Sequence, residues 1–315
     1  MRKLISVLCL LAMFAAALLP AQAQAEQIRV GALTGPTAMG MAELLGNDAC
    51  APSIFGSADE LTPLILKGEV DLAAVPANLA ATLYNKTEGG VTALAVNVLG
   101  VLYICAYQMP EIASLEDLRG QTLYATGKGA TPEYALTYLL AQNGLTLGRD
   151  VTVEWKSEPS EIVALMAQEE HAIAMLPQPF VTVAQGKLEG LQVSLDLSAQ
   201  WDKLGVDSRL VTAGLLVRKA FADEHPQAVA KFLEEYAAST DYANTHAAET
   251  AALVEKMGIV SAAVAEKALP GCNLVCITGK EMKTAVSGYL QTLYDLKSES
   301  VGGAMPTDGF YWLGA

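Results

Sequence analysis

The sequence contains few of the residues that build catalytic and metal centres. Its 315 residues include five cysteines and three histidines, and the histidines are scattered as His171, His225 and His246. Neither a Gly-x-Ser-x-Gly nucleophile motif nor a His-Glu-x-x-His metal helix occurs. The segment Gly35–Met41 has the glycine spacing of a phosphate loop, but Met41 stands where that loop needs lysine. We therefore expect no enzyme, no cofactor and no metal site.

Cysteine is too sparse for a disulfide scaffold in a chain of this length. Cys9 lies in an N-terminal apolar run, which leaves Cys50, Cys105, Cys272 and Cys276. The last two can form a disulfide if the segment between them turns back, whereas an extended segment keeps them too far apart. Both alternatives stay open from the sequence. No histidine lies near the pair to complete a metal site.

Positive charge is scarce as well. Lysine and arginine number 20 against 34 aspartates and glutamates, which gives a formal net charge of −14. Such an acidic protein repels phosphate backbones and anionic membranes, so we expect no nucleic-acid partner. With 52% hydrophobic residues and ordinary amounts of glycine and proline, the chain is expected to fold rather than remain disordered.

Long apolar runs are absent except at the N-terminus. Arg2 and Lys3 precede an apolar stretch from Leu4 to Leu19, and Pro20 and small residues up to Ala25 follow it. This arrangement is typical of a secretory signal peptide with an Ala-x-Ala cleavage site, and the stretch is too short for a membrane-spanning helix. We predict that residues 1–25 are removed and that the remaining chain is periplasmic.

The rest of the chain alternates between short apolar strands and helical segments. This alternation predicts an α/β fold with parallel βαβ units, in which residues 36–45 form one helix. The two halves also echo each other, because Leu72–Pro76 matches Ile173–Pro177 and Leu33–Gly35 matches Ala125–Gly127 in the same order. Two similar lobes would bring the carboxyl ends of their strands to a common cleft, where ligands bind in open α/β sheets.

The echo also predicts the domain organisation. A chain of this length exceeds one compact core, so two domains are expected. Lobe 1 comprises residues 26–106 plus 213–315, and lobe 2 comprises residues 107–212. Two crossing segments, 103–108 and 210–215, form the hinge between them. We expect the lobes to close around a ligand and the protein to act as a monomer.

The candidate ligand site lies at the turns that end strands and begin helices. Backbone N–H groups and threonine hydroxyls are donors there, and glycine lets a ligand approach the backbone. Lys128 is the cation in these turns, so we predict that it binds a polar or anionic ligand group. Helix capping is an equal alternative for the threonines and Asn78, and core packing is the alternative for the aromatic residues, which include Trp201. The candidate residues are Thr34, Gly35, Thr37, Asn78, Tyr103, Thr126, Gly127, Lys128, Gln178 and Phe180.

Three segments, Lys67–Asn78, Leu33–Gly40 and Gly309–Trp312, resemble a known family. They are similar to segments of bacterial ABC-importer periplasmic substrate-binding proteins, in particular the group for nitrate, sulfonates, taurine and thiamine pyrimidine precursors (SsuA/THI5-like or NMT1-like). The resemblance covers the whole chain after the signal peptide. It implies a type II periplasmic-binding fold with a ligand cleft between two lobes, and docking onto an ABC permease in the membrane.

The resemblance leaves two other functions open. A ligand-binding module of this kind can feed a sensor or a non-ABC transporter, and the sequence does not separate these from an importer. The superfamily also includes pyrimidine synthases, which are enzymes with a cysteine-rich motif. This sequence has no run of adjacent cysteines, and an export signal argues against a cytosolic vitamin-making role. We therefore expect a binding protein that is not an enzyme.

Overall fold

The structure is a computed structural model that describes residues 28–45 and 50–314. The predicted signal peptide, residues 1–25, lies outside the described residues. The β-strands are β1 Ile28–Leu33, β2 Cys50–Phe55, β3 Leu72–Pro76, β4 Val91–Leu99, β5 Leu102–Tyr107, β6 Thr122–Thr126, β7 Thr152–Lys156, β8 Ala172–Pro177, β9 Gln192–Asp196, β10 Val211–Arg218 and β11 Leu274–Thr278. The α-helices are α1 Pro36–Met39, α2 Ala42–Leu45, α3 Ala58–Lys67, α4 Ala77–Lys86, α5 Thr131–Gln142, α6 Pro159–Met166, α7 Phe180–Lys187, α8 Leu197–Asp202, α9 Lys219–Glu224, α10 Pro226–Thr245, α11 Ala247–Lys256, α12 Ala262–Ala268 and α13 Gly279–Leu296.

The strands form two sheets of mixed direction. The first has the order β11-β4-β10-β3-β1-β2, and the second has the order β7-β6-β8-β5-β9. In each sheet three strands run parallel, namely β2-β1-β3 and β7-β6-β8. The strands beyond them pair antiparallel. The predicted parallel units therefore account for three of the six strands of the first sheet and three of the five strands of the second, because β5 and β10 enter from the other sheet and not through a βαβ crossover.

The repeated sequence segments occupy equivalent places in the two sheets. The segment Leu72–Pro76 is β3, which lies between β1 and β10, and Ile173–Pro177 lies in β8, between β6 and β5. In both cases the strand is the last parallel member before the antiparallel ones. The internal echo in the sequence thus corresponds to a shared strand arrangement.

The chain passes from the first sheet to the second at Gly100 and Val101, between β4 and β5. It returns through residues 197–210, between β9 and β10. The predicted lobe boundary after residue 106 would place most of β5 in lobe 1. In the structure β5 is instead hydrogen-bonded along Leu102–Tyr107 to β8 and β9 of the second sheet. The sequence misplaced the crossing because residues 91–107 form one long apolar stretch. The two ranges as independently moving lobes remain a prediction.

Two strands, β2 and β11, were not predicted from the sequence, and both lie at an edge of the first sheet. Pro52 lies in β2, and a residue without a backbone N–H is tolerated at a sheet edge but not in the middle. The strand β11 pairs with β4 through an irregular register. β11 is a short apolar run between helices, and such a run cannot be told from a buried helical segment by its local pattern.

Helices cover both sheets and enclose the apolar core. Leu72, Ala73, Ala74 and Val75 of β3 have no exposed surface, as expected for a strand covered on both faces. Trp201 is fully buried, with its ring centroid 4.6 Å from that of Tyr138 and 5.6 Å from that of Tyr289. Because Tyr289 belongs to α13, this cluster joins the C-terminal helix to helices beside the second sheet. No helix in the described residues is long and apolar enough to cross a membrane.

A buried ion cluster ties β1 to β10. The side chain of Asp71 is 3% exposed and accepts hydrogen bonds from the Arg29 backbone N at 3.1 Å, from Arg29 Nε at 2.8 Å and from Arg218 Nη2 at 2.6 Å. Arg218 Nε also donates to the carbonyl of Val70 at 3.1 Å. Burial alone raises the pKa of Asp71, but the hydrogen bonds from Arg29 and Arg218 outweigh it and hold that pKa below its ordinary value.

The cysteines at positions 50, 105, 272 and 276 are free thiols. Cys276 lies within β11, which begins at Leu274, and Cys272 and Cys276 form no disulfide. Burial raises the pKa of Cys105 and Cys272 to about 12, and it raises the pKa of Cys50 and Cys276 to about 11.

We expect the native protein to resist thiol reagents. The thiolate is the reactive species, and thiols with pKa values near 11 or 12 hold about 0.1% thiolate or less at pH 8. Timed labelling with iodoacetamide at pH 8, read by mass spectrometry, should leave Cys105 and Cys272 unmodified until guanidinium is added. Cys276 is partly exposed and should react first. Rapid labelling of Cys105 in the native state would contradict this expectation.

Candidate functional site

A cleft with two connected parts runs between the sheets. The inner chamber has a volume of about 240 Å³ and is bounded by Thr34, Thr37, Thr126, Gln178, Phe180 and Thr212. The outer groove has a volume of about 580 Å³ and is bounded by Asn78, Gly127, Lys128, Lys156, Glu299 and Ser300. Both parts contact Thr34 and Thr126, the residues at or just after the ends of β1 and β6. The cleft therefore lies at the carboxyl ends of parallel strands in both sheets, as predicted.

The first wall is the turn between β1 and α1. Gly35 has φ +117°, a conformation that favours glycine. The backbone N and the hydroxyl of Thr34 both donate to the carbonyl of Phe55, at 2.9 and 3.1 Å. Thr37 is buried and its hydroxyl donates to the carbonyl of Leu33. These threonine hydrogens are already used within the protein, so the hydroxyl oxygens can serve a ligand mainly as acceptors.

The second wall is the turn between β6 and α5. Gly127 has φ +83°, and a Cβ at this position would lie 2.6 Å from Cγ of Pro132, so both conformation and space require glycine. The backbone N of Ala130 donates to the carbonyl of Gly127 at 3.1 Å, and the Gly129 backbone N donates to a carboxylate oxygen of Glu133. This turn is therefore closely packed against the start of α5.

Asn78 connects the two sides of the cleft. It is 4% exposed and stands at the start of α4, beside the first sheet. Its Oδ1 accepts hydrogen bonds from the backbone N and the hydroxyl of Thr131, at 3.1 and 3.2 Å. Its Nδ2 donates to the carbonyl of Ser300 at 3.2 Å. Because α5 has no side-chain cap of its own, Asn78 caps it from across the cleft. The capping alternative raised by the sequence thus applies, but to a helix of the other side.

Gln178 and Thr212 are polar residues of the inner chamber wall. Gln178 is 9% exposed, and its Oε1 accepts hydrogen bonds from the backbone N and the hydroxyl of Thr182, at 3.4 and 3.0 Å. These bonds fix the amide, and its other end, Nε2, lies beside Gly271, where an added Cβ would be 3.2 Å from Nε2 and 3.4 Å from the Tyr103 hydroxyl. Thr212, which also lines the chamber, has a buried hydroxyl without a hydrogen-bond partner. Buried polar groups without partners are uncommon and often mark a ligand or water position.

The charged groups of the cleft lie away from the inner chamber. Among the described residues that line the chamber, the sole charged side chain is Glu158, which is exposed. Lys128 is exposed and borders the outer groove. Lys156 also borders the groove, where its Nζ lies 3.2 Å from a carboxylate oxygen of Glu154 and 5.2 Å from the ring centroid of Tyr124. Positive charge therefore reaches the groove and not the chamber.

Two aromatic candidates lie elsewhere. Tyr103 does not line the chamber, and its hydroxyl donates to the carbonyl of Gly271 at 3.2 Å. Burial, together with the nearby carboxylate of Asp196, raises the pKa of Tyr103 to about 12. Trp201 is in the core, where its Nε1 donates to the carbonyl of Ser208 at 3.0 Å. Of the three proposed aromatic walls, the chamber contains Phe180.

The sequence missed several residues of the chamber wall. Besides Thr212, these include four prolines, which are Pro36, Pro132, Pro159 and Pro177. Three of them stand in the first turn of a helix that begins at the cleft. A proline directly after a strand-end turn was a signal in the sequence, because that turn was already a candidate site. Thr212 carried no such signal, since it lies in an ordinary apolar strand. No group of side chains in the described ranges is arranged to hold a metal ion.

Comparison with known families finds one matching family model, described as NMT1/THI5 like, over residues 56–250. Among curated protein sequences, none gives a significant match.

Solved structures with the same fold are numerous. A Parabacteroides distasonis ABC transporter structure has a TM-score of 0.76 at 24% identity, covering 91% of this chain and 98% of that one. The periplasmic aliphatic sulphonate-binding protein SsuA from Escherichia coli has a TM-score of 0.74 at 16% identity, covering 92% and 93%. The alkanesulfonate-binding protein SsuA from Xanthomonas axonopodis pv. citri, bound to MOPS, has a TM-score of 0.66 at 15% identity, covering 90% and 96%. The predicted α/β periplasmic-binding fold is confirmed.

Proposed function

The chain belongs to the NMT1/THI5-like family, and from this premise we propose that it is the extracytoplasmic solute-binding protein of an ABC importer. It binds a small molecule between two lobes, one built on each sheet, and delivers it to a permease in the membrane. The observation that carries this proposal is the cleft. Its inner chamber is bounded by the strand-end turns of both sheets, so a ligand there contacts both sides at once.

The chemistry of the chamber favours binding over catalysis. General acid–base catalysis needs titratable groups beside the reacting atoms. In the described part of the chamber wall there is one exposed carboxylate, Glu158, and neither histidine nor cysteine. We propose that the protein acts without a cofactor, as a monomer in the periplasm after removal of residues 1–25. The names of the similar SsuA structures, which describe periplasmic and sulfonate-binding proteins, support this assignment.

The ligand contacts follow from the cleft geometry. We assign the inner chamber to the ligand, with contacts from Thr34, Gly35, Thr37, Thr126, Gln178 and Phe180. A longer ligand would extend into the outer groove toward Gly127 and Lys128. Asn78 bonds to Thr131 of the other side and to the carbonyl of Ser300, so we assign it the role of holding the two sides together.

Ligand binding is expected to compact the protein. In the structure the two sides already meet through Asn78 and Thr131, so we regard it as the closed form, and the ligand-free protein should populate a more open one. The purified protein is incubated with a small-molecule extract of bacterial cells, and the retained compound is identified by native mass spectrometry. At 100 times its dissociation constant that compound should stabilise the protein by about 2.7 kcal/mol. Solution scattering should then show a smaller radius of gyration.

The control is the same protein in which Phe180 is replaced by aspartate, which places an unpaired charge at the chamber wall and should prevent retention. Retention of the compound by this variant would move the site out of the chamber. If the wild-type protein retains no small molecule, the solute-binding assignment is wrong.

A further inference from the structure

The segment that follows α13 packs beside the cleft. Residues 298–304, which we call the C-terminal strap, begin with the 3₁₀ turn Ser298–Val301 and contact α13 and α4. Both of these helices pack on β4 of the first sheet. Glu299 and Ser300 of the strap also line the outer groove. Asn78, the residue that joins the two sides of the cleft, donates from Nδ2 to the carbonyl of Ser300 at 3.2 Å.

One face of α4 holds the strap. Asn78, Thr82 and Asn85 are spaced by four and three residues, so they lie above one another on the same side of the helix. Nδ2 of Asn85 donates to two strap carbonyls, those of Val301 at 2.8 Å and Ala304 at 2.6 Å. The helix that begins with Asn78 therefore also fixes the strap one and two turns further on.

Gly302 lets the strap lie directly on α4. Its φ is +87°, and a Cβ at this position would be 2.9 Å from the Cα of Thr82, so both conformation and space require glycine. Ser300 is 1% exposed, and its hydroxyl donates to the carbonyl of Leu293 in α13 at 3.0 Å. The carbonyl that receives the Asn78 amide is thus held from α13 and from two positions on α4.

The orientation of the Asn78 amide decides whether it can cap α5. Its Oδ1 must face the backbone N–H and the hydroxyl of Thr131, because a flipped amide would point N–H donors at these donors. The carbonyl of Ser300 accepts hydrogen bonds and cannot donate them, so it binds the Nδ2 end and selects the orientation that turns Oδ1 toward α5.

We propose that the C-terminal strap holds the Asn78 amide turned toward α5, and that Asn85 and Gly302 are positioning residues for closure of the cleft. The strap and Asn78 lie on the same side, so their contact persists when Thr131 moves away with the other side. The amide is then ordered before the cleft closes, and closure costs less side-chain entropy. This inference rests on the proposed solute-binding function, because closure around a ligand is the step that the strap assists.

Hydrogen exchange at the backbone N–H of Thr131 tests the strap in the ligand-free protein. This N–H donates to Asn78 Oδ1 across the cleft, so its exchange rate, measured by NMR, reports how often that contact opens. Asn85→Ala frees the strap from α4 and should speed exchange at Thr131 about fivefold, the worth of one ordinary hydrogen bond. The N–H of Thr152, which donates to the carbonyl of Gln121, should be unaffected.

The matched control for Asn85→Ala is Asn244→Ala. Asn244 also donates from Nδ2 to a backbone carbonyl on the first-sheet side, that of Leu274 at 3.0 Å, but it lies in α10, away from the strap. Its loss should leave the exchange rate of Thr131 unchanged.

Two neighbouring glycines supply a second, independent pair of variants. Gly302→Ala places a Cβ against the backbone of Thr82 and should speed exchange at Thr131 as Asn85→Ala does. Gly303 has nearly the same backbone conformation, with φ +92°, but a Cβ there meets nothing within 4 Å. Gly303→Ala therefore introduces the same strain without lifting the strap, and it should change the exchange rate of Thr131 by less than about twofold.

Replacing Asn78 with aspartate separates orientation from general support of α4. A carboxylate accepts hydrogen bonds through both oxygens, so Asn78→Asp caps α5 whichever way it turns and does not need the strap. In this background Asn85→Ala should alter exchange at Thr131 by less than about twofold, against about fivefold in the wild type. A fivefold effect in both backgrounds would overturn the orienting role.

The remaining outcomes are equally decisive. Unchanged exchange at Thr131 in both Asn85→Ala and Gly302→Ala would overturn the proposal. Equal acceleration in Asn244→Ala or Gly303→Ala would also overturn it, because the effect would then be general destabilisation. If the strap variants behave as expected but the wild type retains no compound from the cell extract, the positioning role stands and the solute-binding function fails. Retention of a compound together with unchanged exchange leaves the function intact and removes the strap from it.

Discussion

Replacing Asp71 with asparagine is expected to lower the free energy of unfolding by about 2–4 kcal/mol. The substitution keeps the size of the side chain but removes the charge that Arg29 and Arg218 both contact. Breaking a buried ion pair by removing one partner typically costs about 3–5 kcal/mol. The cost here lies toward the lower end because the Arg29 side chain is 45% exposed and can be rehydrated. Urea unfolding at pH 7, followed by circular dichroism, measures the difference.

The same variant should change how stability depends on pH. The pKa of Asp71 is lowered in the folded protein, so its contribution is complete above the unfolded pKa of about 3.9 and is lost as pH falls through the lower folded value. The stability difference between the wild type and Asp71→Asn should therefore be constant from about pH 5 to 8 and shrink below about pH 4. Asp241→Asn, at an exposed position of α10, is the matched control and should alter neither quantity. An equal loss in that control would exclude a specific role for the ion cluster.

Replacing Asn78 with alanine is expected to lower the free energy of unfolding by about 2–4 kcal/mol and to weaken ligand binding at the same time. The change removes three hydrogen bonds and leaves the backbone N and hydroxyl of Thr131 and the carbonyl of Ser300 buried without a partner. It also removes the cap that α5 receives from the other side of the cleft. Because these bonds exist when the two sides are in contact, their loss should favour the open form and reduce the apparent affinity at least tenfold.

A double-mutant cycle separates this bridge from general loss of packing. Thr131→Ser keeps both donors to Asn78 and should cost less than about 1 kcal/mol, whereas Thr131→Ala removes one of them. If the bridge acts as described, Asn78→Ala and Thr131→Ala are non-additive, with a coupling of about 1 kcal/mol or more. Additive effects would mean that the two residues contribute independently and that Asn78 stabilises α4 alone. The free energies come from urea unfolding, and the affinities come from calorimetry with the identified ligand.

The sequence predicted the strands whose pattern is local and missed features decided by distant contacts. The matching segments Leu72–Pro76 and Ile173–Pro177, which are short apolar runs that end at proline, lie in β3 and β8 of the structure. The single helix expected over residues 36–45 is instead two short helices on either side of Gly40. The carbonyl of Gly40 accepts hydrogen bonds from the hydroxyls of Ser239 and Thr240, which come from α10. Such a partner, about 200 residues away, leaves no mark in the local pattern.

The sequence marks the turns that border the cleft, but it does not show which of their polar groups are already bonded within the protein. Strand-end turns are visible in a sequence because glycine and proline mark them, and both turns do border the cleft. Which donors remain free depends on partners in other elements, such as Phe55 for Thr34 and Asn78 for Thr131. Some hydrogen-bond donors that the sequence offered to a ligand are therefore used within the protein. It also could not show that Lys128 borders the outer groove while Gln178 reaches the inner chamber.

The interleaved strand order sets when each sheet can be completed. The second sheet takes all its strands from the continuous stretch 102–196, whereas the first needs β10 and β11, which come after that stretch. A chain that folds from its N-terminus therefore holds the apolar strand β4 without either neighbour until more than 100 further residues are available. Contacts so distant in sequence form slowly, and unpaired apolar strands associate with other chains in the meantime. Late completion of the first sheet, and not the insertion of the second, should therefore limit the folding rate. Aggregation should begin at β4 while it is still unpaired.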